Sequence, residues 1–242
     1  MFFPLFFLYF FQYADGGVYV IKVTINDGEG GVATTTSMIT GVMLIDGVLQ
    51  IVGTDDDDHV TINKVGKSKL RVHADFLPGR KTFVDFRLSD VTRIDVWLCD
   101  GDDHYNGGGD GGSDGGSDGG ADIAISQNVL GGAGNNLLFG GQGKDKLQGG
   151  RGSDILIGGD GRDDLKGDHG DDLLIGGDLD VDWEGIFEMD ALDIALTEWA
   201  SGDLADTMNI LGNVMDDDDK DKLFGNTGVD TLIRGIGDKL KH

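Results

Sequence analysis

The sequence predicts an all-β protein: a solenoid of short repeats, preceded by irregular short strands and carrying a small helical segment near its C-terminus. Three observations support this. The 242 residues include 43 Gly and only 2 Pro, and 40 of the 44 acidic residues are Asp. Asp and Gly favour turns whereas Glu favours helices, so this composition argues against a helical bundle. A nine-residue repeat runs from Gly131 to Ile175, and the alternating segments upstream of it have the length of strands.

Charge and composition exclude several functions. The formal net charge is −25, and a field this negative repels phosphate, so we expect no nucleic-acid partner. The single cysteine, Cys99, excludes an intramolecular disulfide framework. The apolar segment 1–12 is too short to span a membrane, and it lacks the basic region and cleavage site of a signal peptide. We therefore expect no membrane span and interpret residues 1–12 as a non-native start.

Residues 13–41 contain two predicted strands. Val18–Ile25 alternates in polarity, Asn26–Gly31 has the composition of a turn, and a second strand follows around Val32–Thr40. The pair resembles the last two strands of a PKD-type or cadherin-like immunoglobulin sandwich, a domain that needs about 100 residues. The resemblance implies that residues 13–41 are the remnant of such a domain and that the chain is a fragment of a longer multidomain protein.

Residues 42–106 are predicted to form short strands with degenerate repeats between them. The strands are Val48–Val52, Val60–Asn63, Leu70–Ala74, Thr82–Phe86 and Ile94–Leu98. Gly53–Thr61 and Asp100–Tyr105 each resemble a degenerate Gly–Asp turn that leads into a strand. Basic residues are concentrated between Lys64 and Arg93, where solvated strand faces are expected and an acidic partner is the alternative. Residues 107–121, rich in Gly, Ser and Asp, are predicted to be a flexible linker.

Five nine-residue units follow one another without a gap from Gly131 to Ile175. Their first-place glycines are Gly131, Gly140, Gly149, Gly158 and Gly167, and their fourth-place glycines are Gly134, Gly143, Gly152, Gly161 and Gly170. The sixth places hold Asn136, Asp145, Asp154, Asp163 and Asp172, and every eighth place is Leu. Glycine allows positive φ and close backbone approach, so such turns can direct carbonyl and carboxylate oxygens at a hard cation such as Ca²⁺. The Leu can point from a short strand into a core.

These units resemble the hemolysin-type (RTX) calcium-binding nonapeptide repeat, GGxGxDxUx. The resemblance implies a right-handed parallel β-roll over residues 122–181, with two nonapeptides per turn and Ca²⁺ between successive turns. It pairs Asn136 with Asp154, Asp145 with Asp163 and Asp154 with Asp172, which gives about three internal sites. The first site is expected to be the weakest because Asn136 lacks a carboxylate. Leu179 and Val181 replace the Gly and Asp of a following unit, so the roll is expected to end there.

A longer, 18-residue period distinguishes alternate units. The seventh and ninth places of the odd units are apolar, namely Leu137, Phe139, Ile155, Ile157, Leu173 and Ile175, whereas those of the even units are polar. One sheet therefore carries an apolar outer stripe that must be covered. Leu192, Ala195, Leu196 and Trp199 have helical spacing. We expect helices within residues 182–212 to cover the stripe; the Val48–Leu98 strands or another chain are the alternatives.

Residues 213–242 are predicted to be closing degenerate repeats and a cap. Gly225–Ile233 repeats the pattern once more, with Asp230 at the sixth place. Asp230, together with Asp221, is expected to form an isolated half-site.

The predicted function is calcium-ion binding by a module that folds on binding extracellular Ca²⁺, in a secreted or cell-surface bacterial protein. Ca²⁺ is the expected cofactor, and a protein or polysaccharide at the cell surface is the further partner class. The chain has no HExxH or GxSxG motif and Cys99 has no evident base partner, so it is not predicted to be an enzyme. The alternatives are an accessory C-terminal module of a secreted protease, lipase or polysaccharide-modifying enzyme whose catalytic domain is missing, and a calcium-dependent adhesion module.

Overall fold

The computed structural model describes residues 20–26, 32–38, 40–79, 81–108, 123–180, 189–204, 207–208, 213–215, 219–233, 235 and 238–241. This part of the chain is predominantly β, as the sequence predicts. The N-terminal segment 1–12, most of the linker 107–121 and part of the segment 182–212 lie outside the described residues. None of the described helices is long and apolar enough to cross a membrane.

The strands are short, as turns every few residues require. In the N-terminal half they are β1 (Val20–Asn26), β2 (Val32–Met38), β3 (Gly41–Ile45), β4 (Val48–Val52), β5 (His59–Val65), β6 (Lys69–Ala74), β7 (Phe83–Arg87), β8 (Arg93–Asp100) and β9 (His104–Asn106). The repeats form β10 (Gln127–Ala133), β11 (Leu137–Gly143), β12 (Lys146–Arg151), β13 (Ile155–Gly161), β14 (Asp164–His169) and β15 (Leu173–Ile175). The remaining elements are β16 (Asp178–Asp180), the helix α1 (Met189–Ala200), β17 (Asn213–Met215), β18 (Lys222–Thr227), β19 (Thr231–Ile233) and β20 (Lys239–Lys241).

Two eight-stranded sheets, together called the stack, contain most of these strands. The first sheet has the order β20-β18-β14-β12-β10-β8-β4-β3 and the second has the order β19-β15-β13-β11-β9-β5-β6-β7. Successive strands of the repeat alternate between the two sheets. Within each sheet, neighbouring strands pair in parallel, with Leu138 of β11 opposite Leu156 of β13 and Leu147 of β12 opposite Leu165 of β14. The 18-residue period predicted from the sequence is therefore the spacing between neighbouring strands of one sheet. Antiparallel strands close one end, because β3 pairs with β4 and β6 pairs with both β5 and β7.

The eighth-place leucines form the core between the two sheets. Leu138, Leu147, Leu156, Leu165 and Leu174 are fully or almost fully buried, and they join one continuous cluster with Val60, Tyr105, Val129 and Leu223. A side chain that points inward once in every nine residues explains the invariant Leu, since burial of one such side chain is worth about 2 kcal/mol.

The apolar stripe on the outer face of the second sheet is covered by the helical segment, as the sequence predicts. Its six side chains pack in a second cluster with Leu179 and with Ala195 and Trp199 of α1. Trp199 also donates a hydrogen bond from Nε1 to the backbone oxygen of Asp171, at 2.8 Å. The helix is thus fixed by both apolar burial and one directional bond.

The expectation that the roll ends where Leu179 and Val181 replace the Gly and Asp of a further unit is wrong. Strand β18 pairs with β14 and β19 pairs with β15, in the same register as the repeats before them. The sixth-place partner of Asp163 is Asp221, which lies 58 residues further along the chain, whereas neighbouring repeat positions are 18 residues apart. An insertion of 58 − 18 = 40 residues, which carries α1, therefore lies within one turn. A surface turn tolerates such an insertion because each doubling of loop length costs only about 0.6 kcal/mol.

The stack also extends upstream of the repeats. Strand β8 pairs in parallel with β10, and β9 pairs with β11. One turn earlier, β4 pairs with β8 and β5 pairs with β9. The segments that resemble degenerate turns, Gly53–Thr61 and Asp100–Tyr105, therefore belong to the same stack as the regular units.

Strands β1 and β2 form the hairpin expected from residues 13–41. They pair antiparallel, with Val20 opposite Met38 and Asn26 opposite Val32. The hairpin is confirmed, and its resemblance to an immunoglobulin-like domain stays a prediction.

Candidate metal centre

The sixth-place side chains lie in two rows along the turns of the stack. Row A consists of Asp58, Asp103, Asn136, Asp154, Asp172 and Asp230, and row B consists of Gln127, Asp145, Asp163, Asp221 and Asp238. In each row the backbone N–H of one residue donates to the side-chain Oδ1 of the next, at 2.8–3.2 Å. The structure thus brings together all three pairs implied by the resemblance, Asn136–Asp154, Asp145–Asp163 and Asp154–Asp172.

Several of these carboxylates are buried with one oxygen unsatisfied. Asp154 and Asp172 are fully buried and Asp145 is 1% exposed. Their Oδ1 atoms accept the backbone hydrogen bonds of the rows, whereas their Oδ2 atoms have no hydrogen-bond partner. Burying a charged oxygen without a donor or a cation is costly, and folded proteins rarely leave one in that state. These Oδ2 atoms therefore fit the requirements of a bound cation.

Burial also changes the protonation of these groups. It raises the pKa of Asp145 to about 8, against the opposing effect of the hydrogen bond from the Gln127 backbone. Burial raises the pKa of Asp154 and that of Asp172 to about 7, and neighbouring carboxylates, Asp230 among them for Asp172, add to the shift. In the absence of a cation, the ionised form of these carboxylates therefore destabilises the folded stack near neutral pH.

The first-place glycines allow each carboxylate to pack against the backbone of its own turn. A Cβ atom on Gly149 would lie 2.1 Å from Oδ2 of Asp154, and one on Gly167 would lie 2.0 Å from Oδ2 of Asp172. Gly131, Gly140 and Gly158 approach the sixth-place side chains of their own units in the same way. No other residue type fits these positions without displacing the carboxylate.

The fourth-place glycines bring successive turns close together. Their φ angles lie in the left-handed region, as the +126° of Gly161 illustrates. A Cβ atom on Gly161 would lie 1.7 Å from the carbonyl oxygen of Gly143. The same stacking relates Gly152 to Gly134 and Gly170 to Gly152. Carboxylate and carbonyl oxygens therefore line the turns, and these are the hard ligands that Ca²⁺ takes in proteins.

Amide side chains take the place of a carboxylate at two positions, within row A at Asn136 and at the start of row B at Gln127. Nδ2 of Asn136 donates to Oδ1 of Asp154 at 3.0 Å and to the Gly134 carbonyl at 3.3 Å. Nε2 of Gln127 donates to the carbonyls of Gly107 and Gly140 at 2.8 and 2.7 Å. At both positions an amide N–H supplies the positive partner for nearby oxygens. That Asn136 makes its site the weakest stays a prediction.

Asp230 and Asp221 are not isolated from the other sixth-place residues, contrary to expectation. The N–H of Asp172 donates to Oδ1 of Asp230 at 3.2 Å, so Asp230 continues row A. Asp221 and Asp238 continue row B in the same way. Gly176 and Asp221 occupy the first and sixth places of one turn, because a Cβ atom on Gly176 would lie 2.7 Å from Oδ2 of Asp221. The insertion lies between these two residues, so the continuity of row B is not visible in the sequence.

Side chains alone do not complete a metal site in the part of the chain that the structure describes. No group of three or more His, Cys, Asp or Glu side chains there is arranged to hold a metal ion. This follows from the geometry of the rows, because each turn contributes only one sixth-place side chain. The remaining ligands of a cation in this position would have to be backbone carbonyls.

Part of the basic surplus between Lys64 and Arg93 is paired with nearby carboxylates. Arg71 forms a two-bond contact with Asp85, at 2.7 and 3.0 Å, and Lys69 lies 3.6 Å from the same carboxylate. Arg93 forms an equivalent two-bond contact with Asp95. These contacts favour the interpretation of this region as solvated strand faces over an acidic-partner surface.

The comparisons with known proteins agree with the repeat pattern. Residues 127–156 and 148–180 match the family model of the RTX calcium-binding nonapeptide repeat. No curated protein and no solved structure matches the chain. Residues 127–180 are therefore similar to a calcium-binding structural module, and the resemblance noted from the sequence is confirmed for this part of the chain. The family implies calcium binding and a structural rather than a catalytic role.

Proposed function

We propose that the stack is a calcium-binding β-roll that requires Ca²⁺ to fold. The observation that carries this proposal is the burial of Asp145, Asp154 and Asp172, whose Oδ2 atoms have no hydrogen-bond partner. In the proposal, side-chain oxygens come from Asn136, Asp145, Asp154, Asp163, Asp172 and Asp230. Backbone carbonyls come from the Gly-rich turns between Gly131 and Gly170.

Folding is coupled to calcium for two reasons. Without a cation, like charges stack one turn apart in a region that excludes water, so the ionised carboxylates oppose closure of the turns. Glycine also loses more conformational entropy on folding than any other residue, and each of these turns contains at least two. Ca²⁺ binds only the folded arrangement, so its binding free energy shifts the equilibrium towards the stack.

We further propose that the protein acts outside the cell, as part of a secreted or cell-surface bacterial protein. Extracellular calcium modules have dissociation constants of roughly 0.1–1 mM, which suits a chain that stays unfolded where calcium is scarce and folds where it is abundant. The absence of disulfides fits folding by metal rather than by oxidation.

Far-ultraviolet circular dichroism of the full chain tests the coupling. The β signal should disappear when calcium is removed with a chelator and return when calcium is restored in excess. An equal concentration of Mg²⁺ is the control, because Mg²⁺ demands a stricter octahedral geometry and loses its water less readily. Unchanged β content after chelation would refute the proposal.

A further inference from the structure

Two turns upstream of the matched repeats have the same geometry as the repeats without sharing their motif. They are Gly53–Thr61 and Leu98–Asn106, and neither contains the GGxGxD pattern. The N–H of Asp58 donates to Oδ1 of Asp103 at 2.8 Å, across 45 residues. The N–H of His104 donates to the backbone oxygen of Asp58, also at 2.8 Å. Within the repeats, Asp154 makes the same two contacts with the turn after it.

The carboxylates of these two turns are buried as deeply as those of the repeats. Asp103 is fully buried and its Oδ2 has no hydrogen-bond partner. Asp58 is 2% exposed, and its carboxylate is oriented by Thr54, whose N–H donates at 2.6 Å and whose Oγ1 donates at 2.9 Å. A Cβ atom on Gly53 would lie 2.1 Å from Oδ2 of Asp58 and 2.7 Å from the carbonyl oxygen of Leu98. Carboxylate and carbonyl oxygens therefore converge beside Gly53.

The surroundings supply negative charge and no balancing cation. Asp55, Asp56 and Asp57 lie in the first turn, and Asp102 lies next to Asp103 in the second. None of the ion pairs between described residues involves any of these aspartates or Asp58 and Asp103. Where row A carries an amide instead, Asn136 donates an N–H to its neighbour, but no side-chain donor reaches Oδ2 of Asp103.

Building on the proposed function, we propose that Asp58 and Asp103 form a further Ca²⁺ site outside the residues that match the repeat family. Asn136 separates this site from the carboxylates of the regular units. Strands β5 and β9 follow directly after the two aspartates and pair with each other, and β9 pairs in turn with β11 of the repeats. The site therefore holds together the two turns that adjoin the repeats. Calcium-coupled folding then includes the region 42–106.

Hydrogen–deuterium exchange of the full chain, with calcium and with chelator, tests the site locally. In the wild-type protein, calcium should slow exchange both in residues 54–61 and 99–106 and in residues 149–175. Asp103→Asn should abolish the calcium-dependent slowing in 54–61 and 99–106 and retain it in 149–175. Asp154→Asn should show the opposite pattern. The matched control is Asp100→Asn, which removes the same charge from an exposed position of the same turn and should behave as wild type.

Calcium titration by calorimetry gives an independent count, and Asp103→Asn should bind about one ion fewer than wild type and Asp100→Asn. The site is refuted if Asp103→Asn keeps both the ion count and the upstream slowing. It is also refuted if calcium slows exchange only in 149–175 of the wild type, an outcome that leaves the proposed function intact. If calcium slows exchange nowhere, the proposed function itself fails and the additional site fails with it.

Discussion

Replacing Asp154 with Asn should change the stability of the stack in opposite directions with and without calcium. In the calcium-loaded protein the change removes a charged ligand, so the stack should become less stable. In chelator the same change removes a buried charge whose Oδ2 has no partner, so the stack should become more stable. Asn136 shows that the sixth place accommodates an amide without changing the register of the strands.

The size of the effect in chelator follows from the protonation of the buried carboxyl. Burial raises the pKa of Asp154 to about 7 from its ordinary value of 3.8. Each pKa unit corresponds to about 1.4 kcal/mol, so burying this group lowers the stability of the folded stack at neutral pH by on the order of 4 kcal/mol, relative to a group that keeps its ordinary pKa on folding. That cost is a large fraction of the typical stability of a domain, which is about 5–15 kcal/mol.

Circular dichroism and urea unfolding of the full chain measure both directions. In chelator, Asp154→Asn should show more β signal than the wild type, and in excess calcium its urea midpoint should be lower. Asp160→Asn, an exposed position of the same stack, is the control and should change neither quantity. A variant that is destabilised in both conditions, or in neither, would show that the buried carboxylate is not held for a cation.

Three other changes test separate parts of the structure. Gly161→Ala adds a side chain where φ is positive and the backbone of the next turn is close, so it should lower the stability in calcium, measured by urea unfolding, by more than about 3 kcal/mol. The control Gly66→Ala, at a positive φ with open space around it, should lower it by about 1 kcal/mol. Equal losses of stability would refute the close approach of the turns. Trp199→Ala should lower the free energy of unfolding by about 3 kcal/mol and increase the binding of an apolar dye. Ile194→Ala, on the exposed face of α1, should have little effect on either quantity. If Trp199→Ala changes neither, the helix does not protect the stripe. Folding raises the pKa values of Asp145, Asp154 and Asp172. The stability of the stack in chelator should therefore be highest near pH 4 and fall as the pH rises through 7 to 8. A β signal that increases with pH in chelator would contradict these shifts.

The repeat pattern was sufficient to predict the architecture between Gly131 and Ile175. The invariant eighth-place Leu indicates one inward position per unit, and the alternation of Leu137 with Lys146 at the seventh place indicates two sheets with different outer faces. Each strand of this region contacts the strands one turn before and one turn after it, and these lie only 18 residues away in the sequence. Both predictions therefore depend on local sequence only. The covering of the stripe by Trp199 also follows from pattern, since only the segment 182–212 combines helical period with large apolar side chains.

The limits of the stack could not be predicted because insertions separate residues of one turn. Gly176 and Asp221 belong to the same turn, but the insertion between them removes the spacing on which recognition of a repeat depends. Asp58 and Asp103 were recognisable only as isolated Gly–Asp turns, because their separation of 45 residues hides the 18-residue period. Parallel pairing restores the register in three dimensions irrespective of loop length, and nothing in the local sequence reports that register.

A crystal structure of the full chain grown in calcium tests the central claim most directly. We predict ordered Ca²⁺ ions between successive turns of both rows, each in contact with Oδ2 of Asp145, Asp154 or Asp172 and with backbone carbonyls of the Gly-rich turns. Calcium bound only at exposed acidic loops, with these Oδ2 atoms hydrogen-bonded to water or to protein donors instead, would contradict it.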